Sequence, residues 1–474
     1  MLQICLVSTN RRFHAFSADP ESPGKTLEVH MSNLLAARAQ MGMSLAFHIV
    51  FACVGVAMPL LMAIAEWRHL RTGDEVYYTL ARRWAVGTAI MFAVGAVSGT
   101  VLSFELGLLW PRFMKWAGPI IGMPFSLEGF AFFTEAVFFG IYMYGWHRVS
   151  PRAHLAAGVV VALSGMASAI FVVMANSWMN TPVGFNLVDG KPIDIHPLMA
   201  LTNPAALHET IHMTIAAYIA TGFAVAGIYA FMSLRDRNNL FHKKALGIAL
   251  TVAALGALVQ PLTGDFAARE VARLQPVKMA ATEGLFETQR GAPLAIGGIP
   301  DMKARRLRYA IELPDMLSLM TYHNPRALVR GLDSFPQRDW PGAVIAVHLA
   351  FQVMVGAGFA MAALALWAGW LLWSRGTIYS SDWFLRGVVA ASPLGFIAVE
   401  AGWMVTELGR QPWVIYGVMR TADAVTPMPD LVVPFALFTL LYLFLGVTVV
   451  YLLSRHVLTS PKIQEAAALA AAGR

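Results

Sequence analysis

The run His208-Glu209-Thr210-Ile211-His212 sets two imidazoles one helical turn apart with a carboxylate between them, at the start of a long apolar segment. This is the H-E-x-x-H spacing in which paired histidines bind zinc and the glutamate activates water. An intramembrane zinc metalloprotease would need a third ligand, and the candidates Asp189 and Asp333 stand in connections rather than on a facing helix. His48, Glu105, Glu128, Glu135 and Glu407 also fall within apolar runs or at their ends. An ionisable side chain near the centre of a bilayer costs about 2.5–3.5 kcal/mol, so each of these is a functional candidate. Glu128 and Glu135, seven residues apart in SLEGFAFFTEA, share one helical face and are suited to relaying a proton. His48, His212 and Met354 lie on separate segments, and imidazole with thioether is a ligand pair for low-spin heme iron. Taken singly, a buried histidine is more often a packing residue, and Met354 is one of 25 methionines. Arg410 and Arg420 read equally as charges of an outer connection, and Trp403 and Trp413 as an interfacial belt. A transporter with buried charges and no heme is the remaining alternative.

Such residues need a membrane-spanning scaffold. The 474 residues are 57% hydrophobic and only 13% charged, about half the charge fraction of a soluble domain. A helical span takes about 20 apolar residues. Nine segments qualify: 42–66, 84–109, 122–146, 155–179, 208–234, 244–262, 342–373, 384–408 and 431–454. A β-barrel would show short alternating strands, so the expected fold is all-α, a polytopic membrane bundle of nine transmembrane helices. Lys and Arg concentrate in the connections after the first, third, fifth and seventh segments and in the C-terminal tail. That bias puts the C-terminus in the cytoplasm and the N-terminus in the periplasm. All the candidates then lie in the outer half of the membrane or at its outer rim.

The chain divides into a polar extension and start of the first helix (1–41), helices one to six (42–262), an outer connection (263–341), helices seven to nine (342–455) and a cytoplasmic tail (456–474). The outer connection holds 11 Lys and Arg, but long connections cross largely regardless of charge. It is too long to be a passive link. The extension shows no apolar core of a signal peptide, and Met31 is an alternative start. Cys5 and Cys53 form neither CxxC nor CxxCH, which argues against a disulfide framework, an iron–sulfur cluster or covalently attached heme.

The stretch VEAGWMVTELGRQPW, with Glu407 three residues ahead of Arg410, resembles the signature of subunit I of cytochrome bd-type quinol oxidases. The resemblance runs in order from about 36 to 455 through ARAQMGMSLAFHIVF, SFELG, EGFAFFTEAVFFGIYMYGW, VMANSWMNTPVGF, HMTIAAYIATG, QPVKMAATEGLFET and FQVMVGAG. It implies a terminal respiratory oxidase of the bacterial inner membrane, a quinol:oxygen oxidoreductase. Such an enzyme oxidises quinol at the periplasmic face and passes electrons through three hemes to reduce O2 to water. It takes protons from the cytoplasm without pumping.

By this resemblance His212 and Met354 match the axial pair of a low-spin heme b. His48 matches the histidine of one high-spin heme and Glu407 the carboxylate associated with the other. Two hemes b and one heme d are implied, or a third heme b in place of heme d, and which high-spin heme His48 holds is open. Glu128 and Glu135 match acids of the proton path and heme environment, Glu105 a further acid near the same face, and Trp403 a tryptophan among the hemes. Arg410 is the cationic neighbour of Glu407. Lys278 and Glu283 match the residues of quinol oxidation, although by themselves they read as one face of a solvated amphipathic helix. The implied partners are ubiquinol or menaquinol, O2, a subunit II and the lipid bilayer, with a small accessory membrane subunit allowed and no nucleic acid. Two features depart from the common pattern. Gln352 stands where arginine is often found, two residues before the ligand methionine, and the outer connection is short, as in the cyanide-insensitive branch.

Overall fold

The computed structural model describes residues 31–456. Met31 is the first of them, whereas Cys5, most of the polar extension and the tail from 457 lie outside that range. Among the described residues, nine helices or broken helices are long and apolar enough to cross a membrane. They are α1 (Asn33–Thr72), α2 (Glu75–Leu109), α3 (Pro111–Tyr144), α4 (Pro151–Asn180), α5 (Ala206–Arg235), α6 (Leu240–Leu274), α8 (Val344–Arg375), the pair α9 (Asp382–Ala391) and α10 (Leu394–Arg410), and α11 (Val432–His456). A short α7 (Pro276–Glu283) lies in the long connection.

Most spans reach beyond the apolar segments that mark them. Ser32 accepts from Leu35 N and starts α1 ahead of the expected 42, and α6 continues to Leu274 rather than stopping near 262. Hydropathy reports the stretch inside hydrocarbon, whereas backbone hydrogen bonding carries a helix on into water until a cap or proline ends it. Gly73, at φ 68°, closes α1, and Asp74 then caps α2 through Val76 N at 3.0 Å. Successive helices pack as α1/α2, α3/α4 and α5/α6, and α10 lies against α8 and α5.

In lipid the apolar surface of a helix has little reason to leave its surroundings, so close backbone contact and polar bonds must hold the bundle. The eighth span shows how. It breaks at Ser392–Pro393, where proline lacks the N–H a continuous helix needs. On either side of the break it presses into α5: a β-carbon added at Gly227 would stand 2.3 Å from Ser392 Cβ, and one added at Gly395 2.3 Å from Ala220 Cα.

The connections 181–205, 275–343 and 411–431 gather at one end of the bundle, termed here the loop end. They add short antiparallel pairs to an otherwise helical fold, among them Leu294–Ile296 with Ile311–Leu313 and Trp413–Ile415 with Met419–Arg420. Helix α7 starts with Pro276 and ends at Gly284 (φ 64°), with Leu285 N bonded to Ala280 O at 2.9 Å. Its Val277, Ala280 and Ala281 pack on Leu332, Trp340, Val344 and Val347.

Gly395→Val should overpack the α10/α5 contact and cost about 1–3 kcal/mol. The thermal midpoint of detergent-solubilised protein should fall, and an unchanged midpoint would contradict the packing described.

Candidate functional site

Seven polar residues at the loop end, Asn176, Asn180, Glu209, Gln275, Lys278, Glu407 and Arg410, form one network. Glu407, in the last turn of α10, accepts Asn176 Nδ2 of α4 at 2.7 Å on one oxygen and Arg410 Nη2 on the other. Arg410 is 2% exposed and is therefore no charge of an outer connection. Its Nη1 lies 3.4 Å from Asn180 Oδ1, which also takes Lys278 Nζ at 3.0 Å and Gln275 Nε2 at 3.2 Å. Asn180 Nδ2 donates to Glu209 Oε1 at 2.9 Å. Two acids and two cations from α5, α7 and α10 thus meet around amides of α4. This pairing offsets the desolvation that would make any one of these charges costly alone.

Lys278 and Glu283 are 3% and 5% exposed, so α7 is not the solvated amphipathic helix its sequence suggests. The stem of Lys278 runs over Gly409, where a β-carbon would meet its Cγ at 2.8 Å. Burial lowers the Lys278 ammonium to about 8, against the opposing pull of the Glu209 carboxylate. Burial raises the Glu283 carboxyl to about 8, and its Oε2 has no partner among the described residues.

Two imidazoles are oriented in the same way. His48 Nδ1 lies 2.9 Å from Ser98 Oγ, and that hydroxyl donates into Val94 O at 3.0 Å. His212 Nδ1 lies 3.1 Å from Thr263 Oγ1, which donates into Gln260 O at 3.0 Å. A hydroxyl whose hydrogen is committed to its own helix can only accept, so each Nδ1 carries the proton and each Nε2 keeps its lone pair. Gln260 Nε2 stands 3.2 Å from His212 Nε2. Each candidate ligand also faces a glycine. Added β-carbons would stand 2.9 Å from His48 Cε1 at Gly99, 3.5 Å from His212 Cε1 at Gly264 and 3.1 Å from Met354 Sδ at Gly402. Beside Gly402, Trp403 Nε1 is buried without a partner among the described residues.

The H-E-x-x-H motif does not converge. Glu209 turns to Asn180 and His212 to Thr263, while His208 lies edge-on to Phe266. Asp333 accepts from Thr288, and Asp189 is exposed in a turn. Among the described residues no group of three or more His, Cys, Asp or Glu could hold a metal ion.

The paired acids of α3 both face α4, as their spacing predicts. Ser168 donates to Glu128 at 3.3 Å, and the Glu135 carboxylate would stand 3.1 Å from a β-carbon at Gly165. Gly165 and Gly55, the neighbours of Glu135, lie near the midpoints of α4 and α1, so Glu135 sits deeper than the outer half expected of it. Glu135 already stands at the middle of the apolar segment 122–146, which centres it in the bundle rather than at the rim. Glu105 takes Gln40 Nε2 and Ser44 Oγ on one oxygen, both at 2.9 Å, which ties α2 to α1.

Gln352 clamps a loop strand, accepting from Gly297 N and donating to Ala295 O, each at 3.0 Å. His348, one turn earlier, lies 2.8 Å from Thr282 O at the end of α7. The helix bearing Met354 is thereby fastened to the segment bearing Lys278 and Glu283. Arg420 pairs with Asp339 at 2.6 Å over the Trp413 ring and remains in the connections. Asn176, Asn180, Gln275 and His348 are absent from the sequence-based candidates. The first two fall in VMANSWMNTPVGF, one of the stretches that carry the resemblance, and stand four residues apart at the end of an apolar run.

The sequence model of cytochrome bd terminal oxidase subunit I matches residues 36–461. A putative cytochrome bd menaquinol oxidase subunit I of Bacillus subtilis (strain 168) is 36% identical over 431 residues, covering 89% of this chain and 96% of its own. A cytochrome bd ubiquinol oxidase subunit 1 of the same organism is 32% identical over 442 residues, covering 90% and 94%. The structure of bd oxidase from Geobacillus thermodenitrificans aligns with a TM-score of 0.84 at 38% identity, over 90% of this chain and 99% of that one. The chain is a multi-pass bacterial membrane protein and belongs to the cytochrome bd terminal oxidase subunit I family.

Proposed function

We propose that the chain is the heme-bearing subunit of a quinol:O2 oxidoreductase. The orientation of the two imidazoles carries this reading: an Nδ1–H fixed by a second residue, with Nε2 left basic, is the arrangement of a metal-ligating histidine. The donor types fit heme iron, and a glycine beside each of His48, His212 and Met354 keeps a β-carbon off that residue, while the Gln260 amide at His212 Nε2 would have to turn aside for iron to bind there. On this reading His212 and Met354 hold a low-spin heme b, His48 holds one high-spin heme and Glu407 the other. The set is two hemes b with a third heme, d or b. Bound heme supplies one-electron chemistry and an iron site for O2, which is reduced to water.

The chain's own residues take the remaining tasks. Lys278 and Glu283 receive ubiquinol or menaquinol, with the Glu283 carboxyl protonated at neutral pH and its Oε2 free to bond a quinol hydroxyl. Arg410 offsets the charge of Glu407. Glu135 and Glu128, with Ser168, hold protons on their way to the site, and Glu105 and Trp403 line its surroundings. The loop end faces the periplasm, where quinol protons are released. Protons consumed with O2 come from the cytoplasm, so charge is separated without a pump. A subunit II, and a small accessory membrane subunit where present, complete the assembly, and the short connection resembles that of the cyanide-insensitive branch.

His212→Ala should abolish the low-spin signal in the reduced-minus-oxidised spectrum while the protein still inserts. Thr263→Val should weaken retention of that heme by roughly 10–100-fold. Parental spectra in both variants would contradict the ligand assignment.

Glu283 also predicts a pH dependence of stability. Its folded value of about 8 lies above the ordinary 4.5. Its contribution is therefore complete below the ordinary value and is lost as pH rises toward 8, because only the unfolded chain releases the proton. Glu283→Gln should lose less thermal stability than the parent between pH 5 and 8, by at most about 1.4 kcal/mol per pH unit. Equal losses would show that Glu283 is not buried and protonated.

A further inference from the structure

Asn180 is the last residue of α4 and is 1% exposed. Its Oδ1 faces donors from separate parts of the fold: Lys278 Nζ at 3.0 Å, Gln275 Nε2 at 3.2 Å and Arg410 Nη1 at 3.4 Å. An amide oxygen has two lone pairs, so three donors share two places and Arg410, the most distant, holds on most weakly. The amide's other end is committed to Glu209. One turn back along α4, Asn176 bonds the oxygen of Glu407 that Arg410 leaves free. Lys278 and Glu407 are therefore joined through Asn180 and Arg410. A neutral amide also suits this junction, because two cations and two acids surround it and a further charge would unbalance them.

We propose that Asn180 is a positioning residue that holds Lys278 for quinol and, through Arg410, sets the geometry of Glu407, so that occupancy of the quinol side is felt at that carboxylate. The inference rests on the assignments of Lys278 to quinol and Glu407 to a high-spin heme. A ligand that draws Lys278 Nζ away frees a lone pair of Oδ1. Arg410 then closes on that oxygen and slackens its hold on Glu407.

The test uses the purified, heme-loaded complex, with KM and kcat for a short-chain quinol, heme content by pyridine hemochrome and the reduced-minus-oxidised spectrum. Asn180→Ala should retain its hemes and raise KM about tenfold, the effect of losing one hydrogen bond to a charged donor, with a smaller change in kcat. The high-spin absorption should shift while the low-spin band stays in place. Asn180→Gln keeps a neutral amide that can accept from Lys278 and Arg410 and donate to Glu209, and should bring KM back to within about threefold of the parent. If the alanine variant does not accumulate, Asn180→Leu, similar in volume and unable to accept, takes its place with the same expectations. A heme-loaded alanine variant with parental KM and spectrum, or a glutamine variant no better than alanine, would overturn the role of Asn180. Lys278→Ala separates the two layers. Parental KM in that variant removes the quinol assignment itself, whereas a raised KM there beside a parental KM in Asn180→Ala removes the positioning role alone.

Discussion

A guanidinium removed from water must find anionic or carbonyl partners, and Arg410, 2% exposed at the end of α10, imposes that requirement on everything around it. Its partners are Glu407 on its own helix and Asn180 on α4. Because Asn180 also binds Lys278 and Glu209, pairing Arg410 with it draws the ends of α4, α5, α7 and α10 to one place, although Arg410 Nε has no partner among the described residues. The long connection is therefore anchored rather than draped over the bundle. His348 and Gln352 of α8 fasten its other side and bring the helix of Met354 into the same assembly.

Beneath this layer the bundle orients rather than charges its functional groups. His48 and His212 are each turned by a hydroxyl on the neighbouring helix, and that hydroxyl is in turn fixed by a backbone carbonyl. The glycines opposite them allow close helix approach where lipid gives little apolar driving force and keep side-chain stems away from the imidazoles. Glu135 lies at mid-depth between Gly55 and Gly165.

The nine spans were legible because a soluble domain seldom carries an apolar stretch long enough to cross hydrocarbon. Their ends were not, because capping residues such as Ser32 and Asp74 act outside the apolar stretch, and the break at Pro393 falls within an apolar one. Ionisable candidates such as Glu128 and Glu407 stood out through the cost of placing them in lipid. Lys278 and Glu283 did not, since an eight-residue helix carrying both charges reads as a solvated face until Leu332, Trp340 and Val347 are found packed on its other side. Asn176 and Asn180 were the least legible. An amide carries little penalty to advertise it, and Asn176 meets Glu407 across 231 positions of chain.

On the proposed function, side chains gathered toward the loop end grip iron porphyrins. A pyridine hemochrome assay on the purified complex tests it most directly, because it counts heme and distinguishes heme b from a chlorin without relying on turnover. Three hemes are expected for each copy of this chain, at least two of them heme b. A correctly inserted, colourless preparation would contradict it.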